Sequence, residues 1–339
     1  MTQLRTTGSA RYQLVLVPVA ASVVGVLIGL TIAATGPVAG LVEPEAVVRY
    51  GLPIVRVLLD MAAVVTVGLC LLPILIGFDR PKVAEPVLAA SRRAAAAGAL
   101  VWAVAALVTL VLQTAELHPG SNVSVSAIAD YVVQVGAGKA LVLVAAMALV
   151  SLALSVGSIR LGESMPAELR AAVALFALLP LPVTGHATNW RWHDITMVLM
   201  ELHVLAAATW TGGLGAVVTL LAANRTLLVL ALPRFSRLAT VCLIVVAVTG
   251  LFNGVVELAL SPGRDLLSAL AGTDYGVLVL LKVACFGTLA LLGGHIRWRL
   301  LPGIVRHQRT ALVGWAALEL AVMGLAFGFA VILTRASVS

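Results

Sequence analysis

Three of the six histidines fall within eighteen consecutive positions. The stretch reads Gly185-His186-Ala-Thr-Asn-Trp-Arg-Trp-His193-Asp-Ile-Thr-Met197-Val-Leu-Met200-Glu201-Leu-His203 and runs apolar through Trp210-Thr-Gly-Gly213. On a helix of about 100° per residue, His193, Met197, Met200 and His203 fall at about 0°, 40°, −20° and −80°, which makes one stripe. Imidazole and thioether are the side chains that suit copper. The same residues also read as packing: His186 and His193 as solvated surface groups, Met197 and Met200 as core or lipid-facing.

The elements that carry this stripe are transmembrane helices. The chain of 339 residues is 61% hydrophobic and 11% charged, with mean hydropathy +1.09. Apolar runs recur at the length of about 20 residues that spans about 30 Å of hydrocarbon, too long and too uniform for barrel strands. The expected fold is all-α: a polytopic helical bundle forming a single integral membrane domain over residues 1–339. Nine spans are expected at roughly 12–35, 53–77, 94–114, 137–157, 169–185, 195–222, 238–260, 275–295 and 312–334. The first follows Arg5 and Arg11 as a signal peptide does, but its apolar run is too long, so it reads as a retained helix.

Fifteen Lys and Arg fall on one side of this topology and four on the other: Arg49, Arg191, Arg264 and Arg335. That bias predicts an inside N-terminus and an outside C-terminus. It also explains the net charge of +7 without nucleic acid. His186 and His193 then lie at the outer surface, and His203 about 12 Å deep.

Ionisable groups inside a membrane are candidates for function. Arg56 and Asp60 on the second span, Glu201 and His203 on the sixth, Asn253 on the seventh and Lys282 on the eighth fall at similar depth. Their convergence would make a polar pocket open to the outside. Each has a plainer reading too. Arg56 and Asp60, spaced i,i+4, make a neutralised pair; Asn253 serves as interhelical glue; Lys282 snorkels or pairs with Glu201. Glu319 lies nearer the inner side, and His295 and His307 belong to an inner basic loop.

Cys70, Cys242 and Cys285 lie inside apolar runs with no C-x-x-C, which argues against a disulfide framework or zinc site; Cys285 reads as inert or as an inner copper waypoint. Gly25-x-x-x-Gly29, Gly324-x-x-x-Gly328 and Gly212-Gly213-Leu-Gly215 fit close helix packing. No phosphate-binding loop, dinucleotide fingerprint or nucleophile–base signature appears, and no enzyme is expected.

Thr184-Gly-His-Ala187, Asp194 and Leu202-His203-(x)6-Trp210-Thr-Gly-Gly213 resemble the copper resistance protein D (CopD-like) family. So do Leu232-Pro-Arg-Phe-Ser-Arg-Leu-Ala239, Tyr275-Gly-Val-Leu-Val-Leu-Leu-Lys282 and Arg49-Tyr-Gly-Leu-Pro-Ile-Val-Arg-Val-Leu-Leu-Asp60. The form resembled is the actinobacterial one, often fused to a cytochrome c oxidase assembly module of the CtaG type. This chain ends soon after its ninth span, so it reads as a stand-alone relative or a truncated fusion.

The resemblance implies copper uptake across the bacterial cytoplasmic membrane, with a small copper-binding partner of the CopC type, and carries the copper role onto His186, His193 and His203. The chain lacks a Met/His-rich soluble segment, so an external donor would deliver the metal. Two other readings are a b-type haem cytochrome, which needs axial histidines on facing helices, and a non-transporting scaffold linked to oxidase copper supply.

Overall fold

The computed structural model describes residues 8–33, 44–77, 80–184, 193–259, 265–306 and 311–336. Within them the helices are α1 (Gly8–Ile32), α2 (Ala46–Ile76), α3 (Pro81–Leu117), α4 (Val125–Gln134), α5 (Gly136–Leu161) and α6 (Ala167–Phe176). They continue with α7 (His193–Leu221), α8 (Arg225–Ala259), α9 (Leu266–Gly272), α10 (Asp274–His295), α11 (Leu301–Val305) and α12 (Leu312–Leu333). A π turn, Ile296–Leu300, joins α10 to α11. No strand occurs among the described residues.

Among the described residues, nine candidate spans are long and apolar enough to cross a membrane, matching the expected number and order. On α3, the large apolar residues Leu100, Val104, Leu107 and Val111 are exposed at helical spacing. In water such a stripe would be an aggregation hazard; in a bilayer it is the lipid face. α2 and α7 are the most enclosed of the spans and form the bundle's centre.

The lipid tails supply no hydrophobic drive between helices, so close backbone packing must do so. α2 and α7 meet where Gly68 faces Gly212, and a Cβ on either would collide with the other helix's backbone. This is the contact that the Trp210-Thr-Gly-Gly213 run anticipates. The Gly25 and Gly324/Gly328 motifs likewise pack against each other, joining α1 to α12 at opposite ends of the sequence.

Two expectations change. The fifth span is not one continuous helix: α6 ends at Phe176, turns follow, and a 3₁₀ segment runs Leu181–Thr184. Pro180 and Pro182 supply the reason, since each lacks an N–H and disfavours helix at the residue before it. The inner connections are also largely helical. α3 begins at Pro81 and α8 at Arg225, so Lys82, Arg92, Arg93, Arg234 and Arg237 sit on helix extensions rather than in loops. At about 1.5 Å per residue, these helices exceed the hydrocarbon thickness.

Candidate polar site between α7, α8 and α10

α7 and α8 are consecutive helices joined by a short turn, so they pack antiparallel and residues far apart in sequence meet face to face. Thr249 on α8 donates its hydroxyl proton to the Val245 carbonyl at 2.6 Å. Its oxygen is then free to accept, and the His203 Nδ1–H on α7 donates to it at 3.0 Å. The Val246 carbonyl is a further acceptor beside the ring. The network therefore assigns the proton to Nδ1 and leaves the lone pair on Nε2. Gly250 lets the ring lie against α8, since a Cβ there would stand 3.1 Å from Cε1.

Lys282 on α10 is an electrostatic neighbour of this imidazole and of the Cys285 thiol. Neither Lys282 nor Glu201 makes an ion pair among the described residues, so the pairing of the two that their depths allow is not formed. Asn253 lies one turn along α8 from Thr249, on the same face. It is 8% exposed, and neither its Nδ2 nor its Oδ1 has a partner. The antiparallel register puts it at about the level of Met200.

Arg56 and Asp60 belong to a second polar group. Their side chains stand 3.5 Å apart. Arg56 also donates to Thr184 Oγ1 and, at 3.4 Å, to the Leu181 carbonyl. It thus clamps the 3₁₀ turn that leads toward His186. Among the described residues neither Arg56 nor Asp60 bonds to the His203 group.

His193 opens α7, half-buried, with its carbonyl accepting from Thr196 Oγ1 at 3.0 Å. Met197, Met200 and Glu201 are half-buried on the same helix. His186 lies outside the described residues, as does His307. No cluster of three or more His, Cys, Asp or Glu suited to a metal occurs among the described residues. The imidazole of His203 and the thioethers of Met197 and Met200 on the same helix are the side chains here whose chemistry suits a soft ion. His295 stacks on Trp315, ring centroids 4.3 Å apart, and follows Lys282 by thirteen residues, about 20 Å of helix. It is not placed to share a haem with His203.

Sequence reading missed Thr249, because a threonine bonding to its own helix gives no spacing signal. It also missed Glu257, half-buried on α8 beside the buried Tyr275. Glu319, 3% exposed, lies beside the Trp210 indole.

An all-helical bundle with lipid-facing apolar stripes and a small imidazole, amide and ammonium site inside is a multi-pass membrane protein. Two family models match it: Copper resistance protein D over residues 229–333, and Copper resistance protein D-like, N-terminal domain over residues 43–193. The chain belongs to the copper resistance protein D-like family, which ties it to copper resistance and homeostasis. The N-terminal match holds Arg56, Asp60 and His193, and the match over 229–333 holds Thr249, Asn253 and Lys282; His203 falls between them. No curated protein and no solved structure matches the chain.

Proposed function

We propose that this protein carries copper inward across the bacterial cytoplasmic membrane through a site centred on His203. The observation that supports it is the His203–Thr249–Val245 relay, which fixes one imidazole tautomer and leaves Nε2 as a ligand on the helix that bears Met197 and Met200. Relays of this kind orient metal-binding histidines and raise their basicity.

His186 and His193 capture the ion at the outer mouth. It passes to His203, with Met200 or Met197 completing the coordination. Glu201, Asp60 and Lys282 tune the charge along the way, Lys282 from the nearest position. The chain acts as a single membrane domain with its N-terminus inside, C-terminus outside and no catalytic role. A copper-binding protein of the CopC type on the outer side hands over the metal. Binding needs neutral imidazole, so capture weakens as pH falls through the histidine range.

Copper uptake in a deletion strain tests this. Complementation by wild type and His307→Ala, with loss in His203→Ala, is the expected pattern. Unchanged uptake in His203→Ala would sink the assignment.

A further inference from the structure

The inner third of the bundle holds two buried arginines. Arg170, the fourth residue of α6, is 4% exposed, and Arg92 on α3 is 6% exposed. The two guanidinium groups are electrostatic neighbours. Arg92 pairs with Glu85, itself 47% exposed. Arg170 has no carboxylate at ion-pair distance among the described residues. Its one hydrogen bond runs from Nη1 to Ser158 Oγ at 3.3 Å, and its Nε–H has no partner.

Ser151, Ser155 and Ser158 share one face of α5 at helical spacing, and Ser158 is the one that meets Arg170. Ser151 and Ser155 on α5 are 2% and 0% exposed; the Ser151 hydroxyl has no hydrogen-bond partner among the described residues, and the Ser155 hydroxyl faces only the Cys70 thiol. The Cys70 thiol of α2 lies beside Ser155 and Arg170. Three of the seven unpartnered buried side-chain atoms among the described residues thus lie on Arg170 and on the α5 face that meets it.

Burying a guanidinium without a counter-charge costs several kcal/mol. Trapped water would satisfy the orphan hydrogen-bonding atoms but not the charge. A copper ion at Cys70 would be repelled by two guanidinium groups. An anion meets both needs: it neutralises Arg170 and accepts from Nε and the two serines. Four helices, α2, α3, α5 and α6, enclose the cluster, which favours a small occupant over a lipid headgroup.

We infer that Arg170, Arg92, Ser151 and Ser155 form a binding site for a small inorganic anion, chloride or free phosphate, in the inner third of the bundle. The site is separate from the His203 cluster and opposite in charge preference.

The test is thermal unfolding of the purified full chain in sodium gluconate, with chloride or phosphate substituted at constant ionic strength and phosphatidylglycerol added in a separate series. Chloride or phosphate should raise Tm saturably over gluconate. Arg170→Gln should abolish the increase. Ser155→Ala should raise the half-saturating concentration about three- to tenfold, the worth of one hydrogen bond. Should Arg170→Gln fail to fold, the Ser155→Ala shift decides the matter. No increase over gluconate, an unchanged midpoint in Ser155→Ala, or stabilisation by phosphatidylglycerol alone would each overturn the site.

Discussion

The His203 Nδ1–H of α7 donates to Thr249 Oγ1 of α8 at 3.0 Å, and that hydroxyl in turn donates a hydrogen bond to the Val245 carbonyl. A histidine on one span is thus oriented by the backbone of the next. Thr249→Val removes the acceptor at nearly constant volume. It should lower copper affinity about 10- to 100-fold, while Thr249→Ser keeps it. Equilibrium dialysis on the two variants reads the difference.

Lys282 sets a positive charge beside the same imidazole. A cation next to a cation site weakens holding and favours release. Lys282→Met should therefore retain copper about tenfold more tightly and carry it more slowly. Retention after washing, measured beside uptake, checks both signs; weaker retention would give the ammonium a different role.

The contact of Gly68 with Gly212 leaves no room for a Cβ. Gly212→Ala should cost about 1–3 kcal/mol through overpacking and lower Tm. Gly254, whose Cβ would meet nothing within 4 Å, is the control, and Gly254→Ala should leave Tm near wild type.

On α4, outside the spans, burial and then the nearby Glu116 carboxylate hold the Tyr131 phenol above its usual range. The folded state favours the protonated form, so this group's stability is present below about pH 10 and lost as pH rises beyond it. Tyr131→Phe should be less stable at neutral pH, having lost the 2.9 Å bond to Gln113 Oε1, yet fall off less steeply in alkali. Parallel Tm–pH curves for the two proteins would contradict this.

The sequence carried the spans and their close contacts. Apolar length set the nine helices, and the glycine spacing at 25, 324 and 328 and at 212 marked where backbones meet. It did not carry the break after Phe176, because the apolar run through Pro180 and Pro182 satisfies a hydropathy window whatever its backbone does. Nor did it carry Arg170 and Arg92 as a pair. Charge counting puts both on the inner side, and only the packing of α3 and α6 around α2 and α5 brings the two guanidinium groups near each other. For the His203 site, the histidine was legible from its depth. Its partner Thr249 was not, because only the packing of α7 against α8 brings the two side chains together.

The proposed copper ligands are His186, His193 and His203. The most direct measurement is copper stoichiometry on detergent-purified protein after loading and washing, wild type against a His186/His193/His203 triple alanine variant. About one copper retained by wild type and lost in the triple variant is the predicted result. Equal retention in both, or none in either, would contradict it and make these histidines structural.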